Sequence, residues 1–161
     1  MAVHKLILDD AFDDVLYTLI GIHCRLEDYR LAYLLNKHLG ISLSRKKTDI
    51  DFKGGQGSYS IYEWEDHKQL LTWSLVSNIC KTEELQHRYV TSLFDNQEKI
   101  TKTFQLLPEH KTVNYFLKID SVLNLSKEKY ILNSILKIPQ IATAYSVDSS
   151  ELKSKDNLIF N

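Results

Sequence analysis

The chain contains little of what marks secreted, membrane-bound or nucleic-acid-binding proteins. No apolar run approaches the roughly 20 residues of a membrane-spanning helix, and the N-terminus turns acidic at Asp9 and Asp10, where a signal peptide would carry its apolar stretch. Two cysteines in 161 residues cannot form a disulfide framework, so we expect Cys24 and Cys80 to be reduced thiols in the cytoplasm. The formal net charge of −1 gives no basic excess for nucleic acid or an anionic membrane. Neither is an expected partner.

Residues for catalysis and metal binding are also few, and they are dispersed. The six histidines occur singly, without the H-x-x-x-H or C-x-x-C spacing typical of a zinc site. Cys24 follows a predicted strand with His23 beside it, but neighbouring residues on a strand point to opposite faces. Free cysteine is among the most frequently buried residue types, so we interpret Cys24 as a core thiol. The sequence predicts no catalytic residue, no metal site and no cofactor.

Two polar segments are better explained as loops than as ion sites. An acidic cluster, which usually stays solvated, is formed by Asp9, Asp10, Asp13 and Asp14. The glycine-rich segment 53–58 lacks the G-K-[ST] of a phosphate-binding loop and opens no predicted helix. We interpret it as a flexible connection between strands.

An internal repeat organises the rest of the chain. Residues 32–41 align with residues 129–138 so that Tyr, Leu, Asn, Leu and Ile coincide, and Asn36 matches Asn133. Both segments have apolar residues at helical spacing, and each lies between apolar stretches of strand character. The same helix is therefore predicted to occur twice, each time between two strands.

The repeat predicts two β-α-β units, about 16–45 and 113–147. Between them we predict a hairpin over 58–77 and a long, partly ordered connection over 81–99. The predicted fold is α+β, a single domain over 1–161 with a largely antiparallel sheet of about five to seven strands. Two main helices would cover one face, in a ferredoxin-like arrangement of duplicated β-α-β units.

Side chains of the predicted hairpin alternate between two faces. A turn at 66–69 would pair Trp64 with Leu71 and Tyr62 with Trp73, on the apolar face that a helix covers. The opposite face would carry four large apolar residues, namely Tyr59, Ile61, Val76 and Phe116. Monomers rarely leave such a patch in water, and two-fold dimers are the commonest way to bury one. We therefore predict a homodimer through these four residues.

The run from Leu107 to Tyr115, LPEHKTVNY, resembles the signature of the IPExxxVDY family. The positions that agree with the signature are Pro108, Glu109, Val113 and Tyr115. Leu107 stands where the family has Ile, and Asn114 where it has Asp. Segments 26–37 and 59–66 also resemble the family. The resemblance implies a small cytoplasmic bacterial protein without an assigned activity, and asparagine at 114 argues against an essential acid or metal ligand there.

Three functions stay open at this point. We favour a non-catalytic interaction module, because the sequence contains no complete set of catalytic residues. An RNA-binding module would stack bases on aromatic side chains of an open sheet face. A small enzyme would need a pocket that brings Cys24, a histidine and Glu109 together. The expected partners are a second copy of the chain and an unknown protein.

Overall fold

Ten strands and two α-helices make up the part of the chain that the computed structural model describes, residues 17–51, 57–86 and 98–160. The strands are β1 (Thr18–Cys24), β2 (Ser44–Arg45), β3 (Ile50–Asp51), β4 (Ser58–Tyr59), β5 (Ile61–Asp66), β6 (Leu71–Ser77), β7 (Ile79–Gln86), β8 (Glu98–Gln105), β9 (Tyr115–Ile119) and β10 (Ile141–Val147). The helices are α1 (Asp28–Leu39) and α2 (Leu125–Leu136). Short 3₁₀ helices lie at Pro108–His110, Ser149–Glu151 and Lys155–Leu158.

Six of the strands form one antiparallel sheet in the order β10-β1-β9-β6-β5-β2. Two further pairs, β3 with β4 and β7 with β8, form separate two-stranded ribbons. The prediction of an α+β fold with a largely antiparallel sheet is confirmed. No helix among the residues just delimited is long and apolar enough to cross a membrane.

One hydrophobic core contains the buried residues of both helices. Leu31 and Leu35 of α1 pack in it with Ile131 and Ile135 of α2. Both helices present their apolar residues at a spacing of three to four, which places them on one side of each helix. We call this cluster the helix-side core, and its sheet residues include Ile20, Ile22, Tyr62, Trp73, Leu75, Leu117 and Ile119.

A second core collects side chains that alternate with those of the first. Strands β1, β4, β6 and β9 supply Leu19, Tyr59, Val76 and Phe116. Two connections close over them. The connection between β8 and β9 and the chain after β10 supply Leu106, Leu107, Val113, Leu152 and Leu158. We call this cluster the tail-side core, and residues 149–160 the C-terminal segment.

The predicted hairpin register is wrong by two residues. Trp64 pairs with Trp73, and Tyr62 pairs with Leu75. The turn leaves four residues between the strands, and its last residue, Leu70, has a left-handed φ of 55°. A shift of two residues keeps every side chain on its own face. The predicted division of the hairpin into two faces is therefore retained.

The predicted connection over 81–99 begins and ends in strands. β7 and β8 pair residue by residue from Ile79 with Gln105 onward. Residues 87–97 lie outside the described ranges. Ion pairs of Glu83 with Lys99 and Glu84 with Lys102 lie along the ribbon. Because charged residues occur at consecutive positions, the sequence lacks the apolar alternation that marks a half-buried strand.

Each predicted β-α-β unit contains a helix between two strands, but the units differ within the sheet. β10 is separated from β9 by β1 alone, whereas β2 is separated from β1 by β9, β6 and β5. The matched asparagines also differ. Asn36 bonds the backbone of Leu43, whereas Asn133 is exposed. Equivalence of the two units stays a prediction.

Candidate functional site

The segment that resembles the family signature forms a compact turn between β8 and β9. Pro108 begins a 3₁₀ helix that ends at His110. Proline suits the first position, because an N–H there would have no partner within the helix and proline has no N–H. Leu106, Leu107 and Val113 are fully buried in the tail-side core. The apolar part of the segment therefore contributes packing.

A buried asparagine outside that segment, Asn78, holds the turn in place. Its side-chain N–H groups donate to the carbonyl oxygens of His110 at 2.9 Å and Val113 at 2.8 Å. Its Oδ1 accepts from the N–H of Leu107 at 2.8 Å. The backbone N–H and C=O of Asn78 are bonded as well. Sequence reasoning missed this residue, because a single asparagine after a strand has no periodic signal.

Asn114 and Tyr115 tie the start of β9 to the end of β1 and to the chain that follows β1. The Oδ1 of Asn114 accepts from the N–H of Cys24 at 3.1 Å, and the Tyr115 hydroxyl donates to the Leu26 carbonyl at 2.6 Å. Burial raises the pKa of Tyr115 well above its ordinary value of 10.0, so the hydroxyl keeps its proton and continues to donate. These contacts give both positions a structural role.

Glu109 is exposed at the tip of the turn. Its Oε1 accepts from the Ser154 hydroxyl at 2.7 Å. Ser154 lies in the C-terminal segment between Leu152 and Leu158, which are both buried. The Glu109 contact therefore helps to hold that segment over the tail-side core.

The residues considered for an enzyme are held in separate contacts. Cys24 is buried, and burial raises the pKa of its thiol, which keeps it from becoming a nucleophilic thiolate. His23 contacts the Tyr145 hydroxyl through Nε2 at 3.0 Å. Neither cavity described below is lined by Cys24 or Glu109. Within the described ranges no group of three His, Cys, Asp or Glu side chains could hold a metal ion. The acidic cluster at 9–14 and residues 52–56 lie outside them.

The residues predicted to form a dimer face are buried inside the chain itself. No more than 2% of the surface is exposed in any of Tyr59, Ile61, Val76 and Phe116. Leu152 and Leu158 of the C-terminal segment lie in the tail-side core that contains three of the four. The predicted exposed patch is therefore wrong, because residues distant in sequence cover it. The homodimer stays a prediction and needs another surface.

Aromatic residues of the hairpin form no open platform for bases. Tyr62 and Trp73 are buried in the helix-side core, and Arg45 lies over the Tyr62 ring at 5.7 Å. Trp64 is half-buried, with its ring centroid 6.2 Å from that of Trp73. Of these three aromatic residues, only Trp64 is partly accessible to a ligand.

An open groove lies where β2 ends beside β5. β2 pairs with two residues of β5, Tyr62 and Glu63. The chain leaves the sheet before Ser44 because Asn36 of α1 binds both backbone groups of Leu43. Asn36 donates to the Leu43 carbonyl at 3.0 Å and accepts from its N–H at 2.8 Å. We call the space left beside β5 the edge groove.

The backbone of Glu65 has no strand partner in the edge groove. Lys46 N–H donates to the Ile61 carbonyl at 3.0 Å, so Ile61, Glu63 and Glu65 direct their backbone groups toward β2. The position opposite Glu65 is that of Ser42, which lies outside β2. Among the residues that the structure describes, none pairs with the Glu65 N–H and C=O across this edge.

The edge groove has a volume of about 460 Å³ and a mixed lining. Besides Glu65 it is lined by Ser42, Ser44, Lys46, Glu63, Trp64 and His67. Lys46 Nζ pairs with Glu63 at 3.3 Å. Glu65 is exposed and has no ion pair with any described residue. The groove therefore borders one uncompensated carboxylate and one half-buried indole, which lie on opposite faces of β5.

A smaller cavity of about 220 Å³ adjoins the edge groove and shares Lys46 with it. Its other walls include Asp49, Asp51 and the C-terminal Ile159 and Phe160. Asp49 is paired with Arg45. Lys46 therefore lies between two cavities beside β5.

Comparison with known proteins leaves the function to be argued from this geometry. No family model, curated protein or solved structure matches the chain. The resemblance to the IPExxxVDY family stays a prediction, and the edge groove is an open cavity among the described residues.

Proposed function

We propose that this protein is a non-catalytic interaction module that binds a short extended peptide segment in the edge groove. The observation that carries the proposal is the unpaired backbone of Glu65 beside the half-exposed ring of Trp64. A chain added to a sheet edge gains main-chain hydrogen bonds, and neighbouring side-chain contacts give it selectivity. The bound segment would take the place that β2 leaves empty when Asn36 draws Leu43 toward α1.

The geometry fits weak and selective binding. Glu65 offers one backbone donor and one acceptor, each with a net contribution of about 1 kcal/mol. A side chain stacked on Trp64 adds about 1 kcal/mol beyond the area that it buries. Ordering an extended peptide offsets much of this gain. These contributions sum to about 3 kcal/mol before that cost, which corresponds to millimolar binding. Burial of apolar peptide side chains must supply any tighter affinity.

Charge selects the side chain that the segment presents. Lys46 compensates Glu63, whereas Glu65 has no cationic partner in the described ranges. A cationic side chain on the bound segment would pair with the Glu65 carboxylate. The next residue of the segment, which points to the opposite face, would pack on Trp64. The proposed ligand is therefore an extended segment that carries a positive charge.

Selection of short random peptides on the full chain tests the proposal. We expect the enriched peptides to contain Arg or Lys among residues of high β propensity. Trp64→Ala and Glu65→Lys should each weaken binding of a selected peptide about tenfold, which corresponds to about 1.4 kcal/mol. Tyr33→Ala and Glu151→Lys change exposed residues elsewhere on the chain and should bind as the unmodified protein does.

Equal binding by the unmodified protein, Trp64→Ala and Glu65→Lys would contradict the edge groove as the site. Affinity purification from the native cytosol, with nuclease treatment in parallel, separates the protein ligand from RNA. A partner that nuclease removes and that Trp64→Ala fails to retain would favour the RNA-binding alternative.

The finer features of the fold and the setting of the protein are also proposals. We infer a ferredoxin-like arrangement of duplicated β-α-β units with both helices on one face. The strand order β10-β1-β9-β6 and the shared helix-side core support it. The free thiols of Cys24 and Cys80 support a cytoplasmic protein. The resemblance of residues 107–115 to the family signature supports a bacterial one.

A further inference from the structure

The two edges of the main sheet are protected to different degrees. β2 is two residues long and carries Arg45, with Lys46 directly after it, and short charged edges discourage pairing with another chain. β10 has seven residues without a charge or a proline, and no described strand lies outside it. A bulge opposite His23 and Cys24 affects its first residues and leaves Thr143–Val147 regular. This edge is therefore open to a further strand.

The backbone groups of Ala144 and Ser146 point away from the sheet. The bond from Asn78 N–H to the Asn114 carbonyl fixes which residues of β9 face β6. In an antiparallel sheet, successive residues of a strand direct their backbone groups to opposite sides. The registers of β9 with β1 and of β1 with β10 therefore determine which residues of β10 face β1. Tyr145 thus bonds β1, and its two neighbours direct their N–H and C=O outward.

Exposed leucines of α2 flank the same edge. The Ser146 hydroxyl donates to Glu128, so the side of α2 that bears Glu128 lies beside β10. Leu125, Leu132 and Leu136 share that side, because steps of three and four residues return to one helix face. Leu125 is 85% exposed and Leu136 is 47% exposed. Apolar side chains therefore lie in solvent next to an unpaired strand.

We propose that β10 pairs antiparallel with β10 of a second copy of this chain, across a two-fold axis at Tyr145. Ala144 of one copy then bonds Ser146 of the other, which satisfies the outward backbone groups of both. The two Tyr145 side chains become direct cross-strand neighbours, a favourable aromatic pair. Leu125 of one copy meets Leu136 of the other, since the axis also reverses α2.

The positions of the strand and the helix favour a second copy over a foreign strand. The midpoint between Leu125 and Leu136 lies about 4 Å along α2 from Glu128, at 1.5 Å per residue. Tyr145 lies about 3 Å along β10 from Ser146, at 3.3 Å per residue. Both displacements run the same way, because α2 and β10 are antiparallel neighbours. One two-fold axis can therefore relate both the strand pair and the helix pair. Because β10 carries no charge, two copies of it do not repel each other.

The proposed dimer is independent of peptide binding in the edge groove. β2 and β10 are the two opposite edges of the main sheet, so pairing through β10 leaves one open groove on each subunit. Failure of the dimer would leave the proposed peptide site untouched.

Sedimentation equilibrium of the full chain tests the proposal. We expect a mass of twice 18.8 kDa at tens of micromolar. Tyr145→Lys places two ammonium groups face to face on the axis and should raise the dissociation constant at least about tenfold. Tyr33→Lys makes the same substitution at an exposed tyrosine of α1 and should leave the dimer intact.

A mass of 18.8 kDa for the unmodified chain at hundreds of micromolar would overturn the proposal, as would a dimer that Tyr145→Lys leaves unchanged. Slow hydrogen exchange at Ala144 and Ser146 in a monomer would mean that another segment covers the edge, and would also overturn it. Circular dichroism checks the fold of each variant. Ser146→Pro removes an outward N–H without touching a bond to β1, and it replaces Tyr145→Lys if that variant does not fold.

Discussion

Replacing Asn78 with alanine tests whether one buried amide holds the turn that resembles the family signature. Asn78 has no exposed surface. Its side chain bonds the carbonyls of His110 and Val113 and the N–H of Leu107. Asn78→Ala removes these three bonds together and leaves a space beneath the turn.

The expected loss is about 4 kcal/mol of unfolding free energy, near the upper end for a single substitution. Leu107 and Val113 are fully buried, so each backbone group left without its partner costs about 1–3 kcal/mol. His110 is half-buried, and water can replace its bond at a lower cost. The empty space adds about 1 kcal/mol.

Urea denaturation followed by circular dichroism measures this loss. Asn133→Ala is the matched control, because Asn133 is exposed on α2, and we expect a change within about 0.5 kcal/mol. A loss below about 1 kcal/mol for Asn78→Ala would refute the argument, since a single unsatisfied buried group already costs that much.

Two other predictions concern buried titratable groups. Tyr115→Phe should cost about 1 kcal/mol at neutral pH through the lost bond to Leu26. Burial raises the folded pKa of Tyr115 above its ordinary value of 10.0, so its stabilisation is complete below pH 10 and is lost above it, as the unfolded chain ionises first. Tyr115→Phe should flatten that alkaline decline, and an unchanged decline would contradict this. A thiol reagent should label half-buried Cys80 long before Cys24, and Cys24→Ala should cost about 1 kcal/mol. Fast labelling of Cys24 in native Cys80→Ser protein would contradict its interpretation as a core thiol and favour a reactive nucleophile.

Local patterns in the sequence predicted the elements whose signals are local. The second β-α-β unit was predicted to end near residue 147, where β10 ends, and the repeated helix predicted within 129–138 overlaps α2. The hairpin faces were predicted from alternation alone. The register was missed because it depends on Leu70 adopting a left-handed conformation, which leucine rarely does.

The burial of the predicted dimer face depended on contacts that no local pattern reveals. Alternation showed that Phe116 and Val76 share a face, but the cover comes from Leu152 and Leu158, which follow much later in the chain. Lys118 adds to this cover, because its Nζ donates to the Leu158 carbonyl and lies over the Phe160 ring. The packing of the C-terminal segment on the sheet joins residues that are far apart in the sequence, so no local pattern predicts it.

The edge groove was missed for a related reason. It exists because Asn36 binds Leu43 and so shortens β2. The repeat drew attention to Asn36 as a match for Asn133, but their side chains do different things in the structure. A polar side chain that changes the direction of the backbone produces no periodic pattern in the sequence. The unpaired backbone of Glu65 was therefore not predicted.

The central place of β1 has a consequence for how the chain reaches its fold. Leu19 is flanked in the sheet by Lys118 and Val147, so during synthesis β1 must wait for β9 and β10 before it is paired. At 5–20 residues per second of synthesis, that wait is roughly 10 s. Contacts so distant in sequence also slow the search for the native pairing. Throughout this interval Ile20 and Ile22 lack the strand partners that they have in the folded chain, so the nascent chain carries an apolar strand that is not yet paired.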